Sequence, residues 1–579
     1  FDIPMNLETT WNGKIGFNIG FDGSEQVKTQ HQINISNLML RASDVDTRVI
    51  KVDQVGYLPV SQKKFIAPYN VGDFYNVVDT KTNNVVFSGV IGGKKENEGT
   101  KETNFYGDFG ELTTPGTYRV ETQIVATSYE FTIEPSIYDG LLTDALRMLS
   151  LQRCGDKLDK SFAGGFSREN CHSSDAIVYG TQDKINVSGG WHDAGDYGRY
   201  VKTGAKGVAD LLLAYKINTQ YFSDKMNIKE SNNGMADILD EAKYELSWML
   251  KMQTASGGVY KSVVSDKFAG YQAPEDDHST LYVLPISTNA TGSFAGVMGL
   301  SYVVFKDVDK DFANKCLEAS KKAYEYLSLN TTMSDPLNPE GFDAGEYRDD
   351  SDLDERFYAS MSLWNATGEQ KYLDNAKELV AKDERVLLGL NWQTVGTYGE
   401  YLYLSNKDAK NDHDFYTKLY NHFMAQADNM LGFSNNDGYF LTLSNNYNWG
   451  SNMDVSNNGM LLMLADNITP NDNYVDRAFD QLHYLLGRNS LNTSFVTGYG
   501  NSYPKNIHNR MVMAKKLELV GAMVGGPNRN LEDAIVKEKF NETNPPAKIY
   551  IDNNMSYSTN EVAVYWNSSV VFLISSLKR

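Results

Sequence analysis

The sequence predicts a multidomain chain, a β-sandwich near the N-terminus followed by a larger all-α domain. Polar and apolar residues alternate with period two up to about residue 135, the mark of half-buried strands. The segment Glu134-Pro135-Ser136 interrupts that pattern. From Ile137 onward apolar residues recur at helical spacing. A chain of 579 residues accommodates one to four domains and a large buried core.

Residues 1–47 form a first β-rich segment, with Ile15-Gly16-Phe17-Asn18-Ile19 and Ile33-Asn34-Ile35-Ser36-Asn37-Leu38 as its strands. Residues 48–135 restart the pattern at Val52-Asp53-Gln54-Val55-Gly56-Tyr57 and continue it at Tyr118-Arg119-Val120-Glu121. Pro115-Gly116 reads as a turn between strands. Several short strands in about ninety residues read as a sandwich. In 136–579, Ser136 is placed to cap a helix carrying Ile137, Leu141, Leu142, Ala145, Leu146 and Leu149. Further helices are read at Met235–Met252, Asp352–Trp364, Val475–Leu486 and Val562–Leu577. Long Gly- and Asn-rich loops separate them.

The formal net charge is −20, which argues against nucleic acid or an anionic membrane as partner and suits a neutral polysaccharide. No apolar run reaches the length of a membrane span. Phe1-Asp2-Ile3-Pro4 opens the chain without a basic-apolar signal segment, so a processed or truncated product is expected. Three cysteines do not make a disulfide framework. Cys316 lies in a helical pattern and reads as a buried small apolar residue.

The chemistry concentrates in Gly189-Gly190-Trp191-His192-Asp193-Ala194-Gly195-Asp196-Tyr197. Small residues let this loop turn tightly and aim Asp193 and Asp196 at one spot, as a site that holds and deprotonates a water requires. A bare D-x-x-D is also what a surface Asp-Gly turn looks like. Here Trp191 and Tyr197 set sugar-sized aromatic faces beside the acids. A second segment is Ser556-Tyr557-Ser558-Thr559-Asn560-Glu561-Val562-Ala563-Val564-Tyr565-Trp566-Asn567. A third comprises Ser494-Phe495-Val496-Thr497-Gly498-Tyr499-Gly500, His508-Asn509-Arg510 and Gly525-Gly526-Pro527-Asn528. In this order the three resemble the motifs of glycoside hydrolase family 9, the inverting cellulases.

The resemblance implies an (α/α)6 barrel for the helical domain and an immunoglobulin-like fold for residues 48–135. Residues 1–47 look like the end of a carbohydrate-binding module. Inversion needs two carboxyl groups about 6.5–9.5 Å apart on opposite faces of the sugar. By motif match Asp196 is the general base, Asp193 helps hold the water, and Glu561 is the general acid. From local sequence alone Glu561 also reads as an N-cap or first-turn acid of the last helix. His508 and Arg510 match the family's sugar-binding H-x-R, with Asn509 where a second His is commoner. Tyr347 lies near where the family places a tyrosine against the cleaved sugar. Val259-Tyr260-Lys261-Ser262 resembles V-Y-H-K without its histidine. Trp392 and Trp449 are candidate stacking platforms.

Two metal sites are expected. Cys154, Cys171, His172 and His192 make a C-x16-C-H-x19-H set, and two thiolates with two imidazoles suit structural tetrahedral zinc. The spacing is not that of a zinc finger. The immunoglobulin-bearing branch of the family has this arrangement as a zinc site, and Gln152-Arg153-Cys154-Gly155 matches it. Dense acids in Asp349-Asp350-Ser351-Asp352-Leu353-Asp354-Glu355 read either as a solvated acidic turn or as calcium ligands. The family places calcium beside an Asp-Glu pair here, which selects Asp350, Asp354 and Glu355. No organic cofactor is expected.

The expected activity is that of a secreted, monomeric endo-β-1,4-glucanase acting on cellulose or related β-glucans with inversion. The alternative is an exo-acting relative releasing cellobiose, glucose or glucosamine, since the same carboxylates serve both. A carbohydrate-binding scaffold with a dead site is disfavoured, because Asp193, Asp196 and Glu561 are all present.

Overall fold

The structure is a computed structural model that describes residues 46–124 and 126–578. The expected end of a binding module therefore lies outside the described residues, apart from Asp46 and Thr47.

The first part is a sandwich of eight strands: β1 (Gly56–Tyr57), β2 (Lys64–Ala67), β3 (Phe74–Asp79), β4 (Val85–Val90), β5 (Gly92–Asn97), β6 (Glu102–Asp108), β7 (Gly116–Thr122) and β8 (Phe131–Ile133). One sheet has the order β1-β8-β7-β3-β4, and the other β2-β6-β5. Alternate residues such as Tyr75, Val77, Tyr118 and Val120 meet Tyr57, Phe65, Phe109 and Phe131 between the sheets. The expected strand from Val52 shrinks to Gly56–Tyr57, because Asp53 Oδ1 takes the N–H groups of Val55 and Gly56 in a turn. Pro115 lies in irregular chain leading into β7, whose first residue is Gly116, and β6 and β7 belong to different sheets.

The second part holds twelve helices of nine residues or more among the described residues. They are α1 (Asp139–Leu151), α2 (Val201–Asn218), α3 (Asp237–Lys251), α4 (Thr288–Phe305), α5 (Lys310–Leu329), α6 (Leu353–Thr367), α7 (Gln370–Lys382), α8 (Gly396–Leu404), α9 (His413–Asn436), α10 (Ser451–Ile468), α11 (Asp472–Leu485) and α12 (Val564–Leu577). They alternate in character. Of the odd-numbered helices, α5, α7 and α9 bury one stripe, and α7 shows it plainly with Tyr372, Leu373, Ala376 and Val380 inside. The even-numbered ones are buried almost all round, α8 and α12 completely. A helix with no polar face belongs inside a ring of others. Accordingly α12 packs on α2, α2 on α4, α4 on α6, α6 on α8, and α10 on α12, the inner ring of an (α/α)6 barrel.

Small residues let these inner helices approach. On α4, a Cβ at Gly292, Gly296 or Gly299 would come within 2.5, 2.2 and 2.8 Å of Glu355, Tyr358 and Ser362 on α6. Each glycine costs a helix about 1 kcal/mol relative to alanine, which the close packing offsets. Cys316 is buried on α5, as its helical pattern implied. Ser136 does not cap α1. The helix starts at Asp139 with Tyr138 before it, and Ser136 Oγ donates to Glu134 instead.

Sandwich and barrel share a buried seam of polar contacts. Asp53 Oδ2 lies 2.8 Å from His483 Nδ1, both fully buried, and Tyr138 OH donates to Gly56 O at 2.8 Å. Gln54 donates to Asn492 O at 2.7 Å and accepts the N–H groups of Asn501 and Ser502.

Candidate active site

Each inner helix begins at the same end of the barrel, and a long loop precedes each start. The loop before α2 carries Asp193 and Asp196, and that before α4 carries Phe268 and Tyr271. Tyr347 precedes α6, Trp392 precedes α8, Trp449 precedes α10 and Glu561 precedes α12. Asp196, Glu561 and these five aromatic residues, with His508 and Arg510, line one cleft of about 730 Å3, in the range of ligand-binding clefts. A surface depression of about 750 Å3 lies elsewhere, at the C-terminal ends of α6 and α8, and carries none of these acids.

The two acid-bearing segments are stitched together. The N–H of Gly195 donates to Glu561 Oε1 at 3.1 Å, and the N–H of Val564 donates to Asp193 O at 2.8 Å. Gly195 is required by this approach, since a Cβ there would stand 2.5 Å from His508 O and 2.9 Å from Glu561 Oε1. The Glu561 backbone is held by a bridge to His508 and by the Gly525 N–H donating to its carbonyl. Glu561 does not cap the last helix, which starts at Val564. Its carboxyl is turned into the cleft.

Asp193 is buried and accepts hydrogen bonds from Thr203 Oγ1 and Tyr347 OH. Burial first, then the Asp196 charge, pushes its pKa up to about 7. Asp196 is half-buried, and its Oδ2 accepts the Gly198 N–H at 3.1 Å. Burial raises its pKa, and the Arg510 guanidinium opposes that rise. Glu561 is raised well above the ordinary Glu value, by burial first and then by the Asp196 charge. Two neighbouring acids thus differ in environment, which is how a site separates an acid from a base.

The remaining expected contacts take several forms. His508 Nδ1 lies 2.7 Å from Asn554 O, and Arg510 donates to Ala269 O at 2.8 Å and to Gly195 O at 3.1 Å. Asn509 caps the short helix Arg510–Lys515 and donates to Ala194 O. Trp392 meets Tyr347 edge-on at 5.1 Å, and Trp449 is 42% exposed beside Tyr557. Lys261, where the family's histidine is missing, donates to Pro336 O at 2.6 Å. Sequence reasoning missed Tyr565, whose hydroxyl is 3.3 Å from that of Tyr347. Its position four residues after Glu561 was the available signal. It also missed Tyr200, Phe268 and Tyr271 on the cleft wall.

Cys154, Cys171, His172 and His192 come together, all buried, with ligand atoms within 4.8 Å of one another. Cys154 Sγ to His172 Nδ1 and Cys171 Sγ to His192 Nε2 are each 3.7 Å. A tetrahedral zinc with ordinary bond lengths would set such S···N edges at about 3.6 Å, so the donor set fits. His172 Nε2 lies 3.1 Å from Asp277 Oδ2, a carboxylate partner of the kind that orients a ligating imidazole. Asp277 stands 105 positions away, so local sequence carried no hint of it.

The acidic loop does not fit calcium as expected. Asp354 and Glu355 are buried in the first turn of α6, but Asp350 is turned outward, its side chain 89% exposed and facing Arg348. Asp349 points inward in its place, and Lys202 Nζ stands 3.6 Å from it and 3.8 Å from Asp335. The chain's own ammonium thus offsets part of the charge of this cluster. Among the described residues only the Cys-His group brings three or more such ligand atoms together.

Comparisons with known proteins agree with this geometry. The family model described as glycosyl hydrolase family 9 matches residues 138–574, and that described as the cellulase N-terminal ig-like domain matches residues 46–126. A cellodextrinase of Butyrivibrio fibrisolvens is 34% identical over 557 residues, spanning 91% of this chain and 99% of that protein. A single-mutant thermostable endoglucanase of Alicyclobacillus acidocaldarius superposes with a TM-score of 0.85 at 32% identity, covering 92% of this chain and 100% of that one. A zinc-binding triple mutant of a family 9 endoglucanase, J30, gives 0.85 at 32% identity, over 90% and 99%.

Proposed function

This chain belongs to glycosyl hydrolase family 9 and is a glycoside hydrolase with an immunoglobulin-like domain ahead of its barrel, and on that premise we propose that it cuts β-1,4-glucosidic bonds within cellulose or related β-glucans, with inversion. The observation that carries this reading is one cleft receiving Asp196 and Glu561 with their environments set apart. Glu561, kept protonated by burial and by the Asp196 charge, protonates the leaving oxygen. Asp196, whose upward shift the Arg510 guanidinium opposes, takes in its ionised form a proton from the water that attacks the anomeric carbon. Asp193, fixed by Thr203 and Tyr347, helps hold that water and sets a negative charge near the developing oxocarbenium ion. Trp392, Trp449, His508 and Arg510 align the chain of sugars. A polymer of this kind is attacked outside the cell.

Proton NMR during early hydrolysis of a β-linked oligomer tests the mechanism. The α-anomer is expected first, and a β-anomer first would mean retention and a different pair of groups. A rapid fall in carboxymethylcellulose viscosity is expected of internal cutting, whereas a single small product would favour the exo alternative.

Cys154, Cys171, His172 and His192 would hold one zinc as a structural cross-link. Bound there, zinc ties the end of α1 to the catalytic loop, because His192 immediately precedes Asp193. Metal analysis is expected to find one zinc per chain. Cys171→Ser is expected to release it, lower the melting temperature and weaken turnover indirectly. Full stability without zinc would leave the four as core residues.

A further inference from the structure

Asp196 faces two spaces. Besides the cleft, it lines a second pocket of about 10 Å3, and only Phe268 is shared with it between the two walls. That volume matches the roughly 10–15 Å3 in which one water can sit. Its other walls include Gly198, Ser265, Ala269, Asp343 and Ala344. We infer that this pocket is a water inlet, through which the nucleophilic water reaches Asp196 from the side away from the glucan. The inference rests on the reading of Asp196 as general base.

The pocket has what a water site needs. A carboxylate offers about four lone-pair positions, and the Gly198 N–H takes one at 3.1 Å, so Asp196 can also accept from a water. Ser265 Oγ donates to Lys267 O at 2.6 Å and keeps its own lone pairs for a second contact. The outer mouth is polar and open, for Asp343 pairs with Lys267 at 3.0 Å with both side chains more than half exposed. The walls are fixed to one another and to the catalytic loop. Arg510 donates to Ala269 O at 2.8 Å, Tyr197 OH donates to Gln272 O at 2.5 Å, and Asp343 N donates to Asp266 O at 2.9 Å.

The chemistry makes a separate inlet useful. Each cut consumes one water. Its oxygen bonds to the anomeric carbon as the bond to the glycosidic oxygen breaks, that oxygen takes the Glu561 proton, and the water's proton passes to Asp196. A glucan lying in the cleft covers the side of Asp196 that solvent would otherwise reach. The rear pocket lets the water be replaced, and the proton leave Asp196, while sugar still occupies the cleft.

The test fills the pocket from two walls with Ala344→Leu and Ala269→Leu, and uses Ala344→Ser as a variant that leaves it open. Each Leu variant is expected to lose at least about tenfold in kcat with KM within about twofold, inside the ~10²-fold that misplacing a reacting group can cost. Ala344→Ser is expected to turn over as wild type, and the binding of cellobiose to remain unchanged in all three. If one Leu variant does not fold, the other and Ser265→Val decide. Asp196→Asn is measured alongside. Activity retained in Asp196→Asn would refute the base itself. An inactive Asp196→Asn beside folded Leu variants with wild-type kcat, or with only KM changed, would overturn the inlet and leave the base standing.

Discussion

Replacing Asp196 by alanine is expected to lower kcat by at least the roughly 10²–10⁴-fold that a positioned acid–base group supplies. The loss should exceed the mean for such groups, because no second carboxylate is placed to substitute. Asp193 is already engaged by Thr203 and Tyr347, and its pKa of about 7 makes it a poorer anion at acidic pH. Asp193→Ala should therefore be severe but less complete. Initial rates on a soluble β-glucan, with melting temperature as a control for folding, decide this. Wild-type turnover in Asp196→Ala would reassign the base.

Glu561→Gln is expected to give a loss of similar size on natural glucans, whose leaving alcohol needs a proton. Aryl glycosides with acidic leaving groups should suffer much less. The pH profile carries a sign that can be worked out. Glu561 acts in its protonated form, and burial with the Asp196 charge holds its pKa well above the ordinary Glu value. Activity therefore persists where a free Glu is ionised, and falls as pH rises through the elevated pKa. Asp196 acts ionised, so the acidic limb falls as pH drops through its own raised value. Glu561→Gln should remove the alkaline limb and keep the acidic one. An alkaline limb unchanged in that variant would assign it to another group.

The parts legible beforehand are those written in local pattern. Alternation in 48–135 and helical spacing after Ile137 announce sandwich and helices, since each periodicity reports which face is buried. The two aspartates could be paired because only Ala194 and Gly195 separate them. Even the four zinc candidates could be grouped, by donor chemistry and then by resemblance, and the structure does gather them. Boundaries were less legible. Ser136 looks like a cap in sequence, yet α1 begins three residues later, because Tyr138 is drawn into the seam with the sandwich to donate to Gly56 O.

By itself, then, the sequence determined the order of β and α regions, the acids available for chemistry, and the soft and basic ligands that could share a metal. Only the tertiary structure decided which of them meet. Gly195 reaches Glu561 across 366 positions, and no local rule sets that distance. It follows from six inner helices starting at one end of the barrel, so that six loops converge. Side-chain direction was likewise decided by partners far along the chain. Asp349 turns inward toward Lys202 on α2 and Asp350 turns out, although neighbouring acids in a loop look alike in sequence. The physical reason is the same in both cases. A charged group settles where distant charges and donors compensate its burial, and the fold alone brings those within reach.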